Sequence, residues 1–211
     1  MASFEDLSKA VIAGNDEQVK ALTQAFVDGG SDLLEIINNG LVAGMDVVGA
    51  RFKKGEMFVP EVLMAARSMS VGMDIIKPLM TDKDIPSAGT VLVGTVKGDL
   101  HDIGKNLLGM MMESVGFKVI NLGVDIGPEQ FAAAAKEHNA DIIGMSALLT
   151  TTMPSMKETV DLFKEEGLGN VIIMVGGAPV SQEYADEIGA HGFAPDAATA
   201  CDVAKALMAK K

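Results

Sequence analysis

Val91-Leu92-Val93-Gly94-Thr95-Val96-Lys97-Gly98-Asp99-Leu100-His101-Asp102-Ile103-Gly104 is the stretch on which the reading of this chain turns. Its first six residues are apolar and rich in β-branched side chains, the pattern of a buried strand. The loop that leaves this strand carries an imidazole, His101. A carboxylate, Asp99, stands two residues before it, and Gly104 three residues after it. A histidine that ligates a metal usually has its second ring nitrogen held by an acceptor, which fixes the tautomer and raises the basicity of the ligating nitrogen. Asp99 is close enough in sequence to be that acceptor. Gly104 would let the backbone approach a bulky ligand with no Cβ in the way. One histidine cannot build a metal site from protein alone, so the metal would arrive with its other ligands attached. The plain alternative is a histidine satisfied within its loop.

Outward from this stretch, strands are expected at about 90–96, 117–122, 141–146, 171–175 and 192–194. Helices are expected between and after them at about 104–115, 128–138, 153–166, 181–188 and 196–209. Several strands are continuous apolar runs, as in a parallel sheet covered by helices on both faces. The fold class is α/β: a doubly wound, flavodoxin- or Rossmann-like domain with a five-stranded parallel sheet. Ligands in such sheets bind beyond the carboxyl ends of the strands. The His101 loop, Ser146 and Gly176-Gly177 all fall at carboxyl ends, which points to one site.

The residues before this domain read as helices. Asn15 with Gln18 resembles a capping box, and Val19, Leu22 and Phe26 follow at helical spacing. Gly29-Gly30 closes that segment, and Ser31 is the expected cap of the next. Leu41, Met45, Val48 and Phe52 form one apolar stripe, which Gly55 ends. Pro60 suits the first turn of a last helix, with a stripe through Val62, Ala66, Met69, Met73 and Ile76. Four helices with short links predict an antiparallel bundle. A linker with Pro and Gly is expected over 82–89, giving a helical bundle domain at 1–84 and the α/β domain at 85–211.

The formal charge of −12 over 211 residues argues against nucleic acid as a partner. Nearly half the chain is apolar, but there is no Trp and one Tyr, so Met and Ala fill the interior. The Met110-Met111-Met112 triplet reads as plastic core packing. Cys201 is the only cysteine, which excludes a disulfide framework or a cysteine metal cluster; its apolar neighbours predict a buried thiol. His138 and His191 lack partners at ligand spacing and read as surface residues. The N-terminus shows no signal-peptide pattern and no long uncharged run suggests a membrane span, so the expectation is a cytoplasmic protein.

Asp99-x-His101-x-x-Gly104, then Ser146-x-Leu148, then Gly176-Gly177 resembles the cobalamin-binding signature D-x-H-x-x-G…S-x-L…G-G in order and spacing. Two further stretches are Gly44-Met45-Asp46-Val47-Val48-Gly49-Ala50-Arg51-Phe52 and Gly55-Glu56-Met57-Phe58-Val59-Pro60-Glu61-Val62-Leu63. They resemble the helical cap that precedes the corrinoid domain in methionine synthase and in small methyltransferase corrinoid proteins. The likeness implies cobalamin or a related corrinoid as cofactor, with His101 as the lower ligand of its cobalt. It implies that the nucleotide tail leaves the cobalt and extends into the domain past Gly98, Gly104, Gly144, Gly176 and Gly177. Ser146 would hydrogen-bond the buried base, with Thr150 on the same loop; Asp102, beside His101, and Ile103 and Leu148 are further expected cofactor-binding residues. Thr152 takes the position of a serine that extends the His–Asp hydrogen-bond chain in methionine synthase. Phe52, Val59 and Val62 would cover the upper face of the corrin and keep it dry.

The same likeness implies a methyl carrier. The cofactor carries the hard chemistry, and His101 would bind cobalt in one state and release it in another, with Asp99 and Thr152 offering a proton route. The chain is too short to hold methyl donor and methyl acceptor sites, each of which typically needs a barrel of about 250 residues. The expected partners are therefore a substrate-specific corrinoid methyltransferase, a second methyltransferase acting on tetrahydrofolate or coenzyme M, and a reductive activase. Two other classes share the signature: cobalamin-dependent sensors or regulators, and small subunits of adenosylcobalamin mutases. The first usually carry basic DNA-binding helices, and the second lack the cap pattern.

Overall fold

The structure, a computed structural model, describes residues 3–80 and 88–211. The chain divides into two compact units, Met1–Pro86 and Ser87–Lys211. Most of the linker expected over 82–89 lies outside the described residues.

The first unit is helical. Helix α1 (Phe4–Ile12) starts from a reciprocal capping box: Asp6 N donates to Ser3 Oγ at 3.1 Å, and Ser3 N donates to Asp6 Oδ2 at 3.0 Å. Helix α2 (Asp16–Asp28) is capped by Asn15, whose Oδ1 accepts from Gln18 N at 3.1 Å. The box there is one-sided, because the Gln18 side chain accepts from the Asn15 side-chain amide instead of its backbone. The cap expected at Ser31 falls one residue later. Asp32 directly precedes the first helical residue of α3 (Leu33–Glu35), and its Oδ1 accepts from Glu35 N at 3.0 Å. Helix α3 continues through a π-helical segment, Ile36–Val42, into α4 (Ala43–Lys53). A side chain at Gly40 would have its Cβ 2.5 Å from Leu7 Cδ2, and one at Gly44 would lie 2.8 Å from Val11 Cβ. Both glycines therefore let α1 lie directly on this helix.

Leu41, Met45 and Val48 are buried as the stripe predicts, whereas Phe52 at its end is only partly covered. The stretch Leu33–Lys53 is long and apolar enough to cross a membrane by length and composition alone. Its apolar residues Ile36, Ile37, Leu41, Met45 and Val48 belong to the buried core, which accounts for that composition. Helix α5 (Val59–Ile76) has Pro60 in its first turn, and Glu61 Oε2 accepts from Phe58 N at 2.8 Å. It packs against α2 and α4, while α1 packs against α2 and α4, completing the expected bundle.

The second unit alternates strand and helix: β1 (Thr90–Val96), α6 (Ile103–Ser114), β2 (Lys118–Ile126), α7 (Pro128–Glu137), β3 (Ile142–Ser146), α8 (Pro154–Glu165), β4 (Ile172–Gly176), α9 (Gln182–Ile188), β5 (Gly192–Ala194) and α10 (Ala197–Met208). All neighbouring strands are parallel, in the order β2-β1-β3-β4-β5. The chain reverses direction across the sheet between β1 and β3, which is where a doubly wound fold opens its crevice. Residues 91–96, 142–145 and 172–175 are buried, as expected for strands covered on both faces. Gly94 makes room for α7: a Cβ there would sit 2.6 Å from the Phe131 ring.

Strand β2 runs to Ile126 rather than stopping near 122. Its pairing with β1 shifts twice, from Val93↔Asn121 to Gly94↔Gly123 to Val96↔Ile126. Each shift gives β2 one extra residue, the signature of a bulge. Gly123 and Asp125 look like turn residues in sequence and both have positive φ, yet pairing with β1 carries the strand past them to Ile126.

His191 is exposed, as expected, yet it also closes the sheet. Its Nδ1 accepts from Ile173 N at 2.9 Å, and its own N–H donates to Ile173 O at 2.8 Å. Burial, helped by Lys164, pulls its pKa below the usual histidine value. An imidazolium could not accept from Ile173, so the neutral ring belongs to the folded state. Its contribution is complete above the unfolded pKa of about 6.5 and fades as pH falls from there toward the lower folded pKa. Urea titrations should therefore show stability falling as the pH drops below about 6.5, and falling less in His191→Gln. At the end of β4, Gly177 has φ +123°, and a Cβ there would lie 1.9 Å from Ala147 O. Gly177→Ala should cost about 2–4 kcal/mol, read as a lower urea midpoint.

Candidate cofactor site

The site is built where β1, β3, β4 and β5 end. Thr95, fully buried near the end of β1, donates from Oγ1 to His101 O at 2.8 Å. Gly98 turns the chain at φ +82°, and its N–H donates to Asp125 Oδ1 at 2.7 Å. Asp99 then points inward with no exposed surface. Its Oδ1 lies 2.7 Å from His101 Nδ1 and accepts from His101 N at 3.1 Å. Its Oδ2 accepts from Leu148 N at 2.7 Å, Leu149 N at 3.3 Å and Thr152 Oγ1 at 2.9 Å. Burial by itself disfavours the charged carboxylate, but the hydrogen bonds from Leu148, His101 and Thr152 outweigh it and hold the group well below the usual carboxylate range. Thr152 Oγ1 also lies 2.9 Å from Leu149 O, and the carboxylate is the stronger of the two acceptors for its one proton.

Because Asp99 is an ionised acceptor, His101 carries its proton on Nδ1. The lone pair on Nε2 therefore points away from the carboxylate, and Nε2 makes no hydrogen bond among the described residues. The ring is 53% exposed, a position from which it can reach a ligand. Around it stand Leu100, Ile103, Leu148 and Leu149, at 72%, 75%, 44% and 43% exposure. Large apolar side chains left open together mark a surface that meets something apolar. Ile103 and Leu148 were legible from the motif. Leu100 and Leu149 were not, and their one sequence signal is an apolar residue inside a turn-forming loop.

Beside His101 a cavity of about 530 Å³ runs between the sheet and the helices α6 and α10, a size typical of cofactor sites. His101, Asp102, Ile103, Gly104, Ser146, Leu148, Gly176 and Gly177 line it, together with Gly144 and the start of α10. The glycines serve different ends. A Cβ on Gly104 would meet nothing within 4 Å, so this position leaves open volume. Gly176 and Gly177 instead lie against Ala194 O and Ala147 O, and are demanded by strand packing as well as by the cavity. Gly98 is not in the cavity wall, nor are Asp99, Thr150 and Thr152. Asp99 and Thr152 stand behind His101, and Thr150 is exposed on the loop. Asp102 Oδ2 accepts from Asn106 Nδ2 at 2.9 Å. Lys105, almost fully buried, donates to Asn106 Oδ1 and Asn121 Oδ1, and burial lowers its pKa while Asp102 opposes the shift. Phe52, Val59 and Val62 belong to the helical unit; the first two are half-buried and Val62 is enclosed.

No group of three or more His, Cys, Asp or Glu side chains that could hold a metal ion occurs among the described residues. The donor set is one imidazole, with an apolar rim around it and a cavity beside it. This set suits a metal that brings an equatorial macrocycle and a tail, which is the chemistry of a corrinoid. The fold and the site together define a corrinoid-binding protein. Residues 89–203 match a family described as the B12 binding domain, residues 3–77 match a second family of the same description, and the chain belongs to this B12-binding group. It is 46% identical to a corrinoid protein of Desulfitobacterium hafniense (strain Y51), over 100% of this chain and 99% of that one. It is 44% identical to dimethylamine corrinoid protein 1 of Methanosarcina acetivorans, over 98% and 97% of the two chains. The crystal structure of the methanol:cobalamin methyltransferase complex of Methanosarcina barkeri contains a chain that superposes with a TM-score of 0.87 at 31% identity, covering 99% of this chain and 80% of that one.

Asp99→Ala should remove the acceptor that selects the His101 tautomer. Nitrogen NMR on the cofactor-free protein should show the ring protonated on Nδ1 in the parent and shifting toward the Nε2-protonated form in the variant. Leaving the Leu148 and Thr152 donors unpaired should also cost roughly 3 kcal/mol in urea unfolding.

Proposed function

We propose that this chain is a cytoplasmic methyl carrier of a corrinoid-dependent methyltransferase system, with His101 as the lower axial ligand. The observation that carries the reading is the outward-facing Nε2 of His101, backed by the buried, ionised Asp99. When bound, the corrinoid supplies a cobalt centre that can accept and give up a methyl group. The protein does the rest. Nε2 would hold the cobalt, while Nδ1–H to Asp99 Oδ1 (2.7 Å) keeps the ring in one orientation and makes it a stronger base. The buried Asp99 carboxylate, which faces Nδ1 at 2.7 Å, would hold the ring in place whether or not Nε2 carries a metal. Thr152 Oγ1 keeps the second carboxylate oxygen fixed meanwhile, at 2.9 Å. The cavity beside Gly104 and Ser146 would take the displaced nucleotide tail, with the Ser146 hydroxyl available to its base.

Partners follow from the relatives. The protein named for dimethylamine and the chain from the methanol:cobalamin methyltransferase complex favour a substrate-specific corrinoid methyltransferase as the source of the methyl group. A second methyltransferase would pass it to tetrahydrofolate or coenzyme M, and a reductive activase would rescue oxidised cofactor. A sensor or a mutase subunit finds no support in these relatives.

The test is reconstitution with cobalamin. The parent protein should bind about one corrinoid per chain and show imidazole nitrogen coupling in the electron paramagnetic resonance spectrum of its cobalt(II) form. His101→Ala should still bind, since the tail supplies much of the contact, but lose that coupling and at least 100-fold of the methyl-transfer rate. An unchanged spectrum would remove His101 from the metal.

A further inference from the structure

Asp125 lies outside the cavity and does not touch His101, yet two of its hydrogen bonds hold the turn from which Asp99 hangs. Its Oδ1 accepts from Gly98 N at 2.7 Å, and its own N–H donates to Asp99 O at 3.1 Å. It makes them from a strained backbone. Asp125 and Asn139 are the two non-glycine residues with positive φ among the described residues, at +57° and +49°. Asn139 has an ordinary reason, since it follows the end of α7. Asp125 does not stand at a helix end. It belongs to β2, and the two extra residues that β2 gains at its bulges carry it across to the turn after β1. Strain of this kind persists only where the surroundings hold it in place, and bulges are common where a strand re-aims a side chain next to a site.

We infer that Asp125 is a positioning residue for the His101 ligand. It clamps the Gly98–Asp99 backbone from the β2 side, while Leu148, Leu149 and Thr152 fix the Asp99 carboxylate from the β3 side. Asp99 is thereby held at both its main chain and its side chain, and this sets the direction in which the His101 Nε2 lone pair points. Loosening the β2 clamp leaves the Asp99–His101 pair intact but lets it swing, so the imidazole presents itself to the metal for a smaller share of the time.

This inference rests on His101 being the lower ligand, and the experiment separates the two. Asp125→Gly keeps the left-handed backbone at no cost but loses the carboxylate; Asp125→Asn keeps both the backbone tolerance and the Oδ1 acceptor. In the full chain loaded with cobalamin and reduced to cobalt(II), the ratio of histidine-bound to histidine-free signal should fall about fivefold in Asp125→Gly, a loss of the order of one hydrogen bond. It should return to near the parent value in Asp125→Asn. Asp125→Ser, with a shorter acceptor, should fall between them and serves if the glycine variant does not fold. In the cofactor-free protein, the Gly98 amide should exchange its hydrogen faster in Asp125→Gly than in the parent. A parent-like ratio in Asp125→Gly would overturn the inference, even with faster exchange at Gly98, because the clamp would then hold the turn without aiming the ligand. His101→Ala is the control. If it keeps the nitrogen coupling, the ligand assignment fails. The clamp is then judged on exchange alone, and unchanged protection of Gly98 in Asp125→Gly would overturn it.

Discussion

A carboxylate with no exposed surface is expensive unless every lone pair finds a donor, and Asp99 organises its surroundings to meet that demand. Its donors come from the turn after β1 and from the loop between β3 and α8. Leu148 is 49 residues from Asp99 in sequence, so the charge acts as a fastening between two strand ends. The imidazole is one of the donors, which means its orientation follows from the same requirement. The loop that satisfies the carboxylate also presents Leu148 and Leu149 beside the ring. The orientation of the imidazole, its apolar rim and the mouth of the cavity are therefore consequences of one buried charge.

The cavity depends on a different constraint, the close approach of backbone to backbone at the strand ends. Gly176 and Gly177 bring β4 against carbonyls of the neighbouring strand ends, where a side chain would collide. That tightness on the sheet side contrasts with the open volume at Gly104 on the helix side. A slot between sheet and helices results, walled mainly by small and apolar residues. The helical unit uses the same device for another purpose: Gly40 and Gly44 bring α1 onto the long helix, and Gly72 receives Leu41 and Val19. With a single Tyr and no Trp, this protein fills space by close approach and flexible methionines around a few buried rings such as Phe131 and Phe163.

Much of this was legible in the sequence, because the signals are local. Alternation of apolar runs with amphipathic segments located all five strands and the helices between them within one or two residues, β2 excepted. The D-x-H-x-x-G spacing identified His101 and its acceptor, since residues two apart on a tight turn can hydrogen-bond whatever the rest of the chain does. The cap at Asn15 was legible because Gln18 follows it at capping-box spacing. The cap expected at Ser31 falls on Asp32, which caps about equally well and directly precedes the helix.

What the sequence by itself determined, then, is the order of the elements, the class of fold and the identity of the histidine. Tertiary structure alone decided which glycines face the cavity and which merely permit packing, since an exposed turn glycine and a cavity glycine read alike in one dimension. It decided that β2 continues through Gly123 and Asp125 despite their positive φ, because pairing with β1 runs on to Ile126. It placed Asp125 beside Gly98, 27 residues away, and Leu100 and Leu149 around one imidazole. Periodicity carries no information about such pairings. They arise only when a parallel sheet aligns strand ends whose connections are a whole helix long, and the register of that alignment is set by bulges that no local propensity encodes.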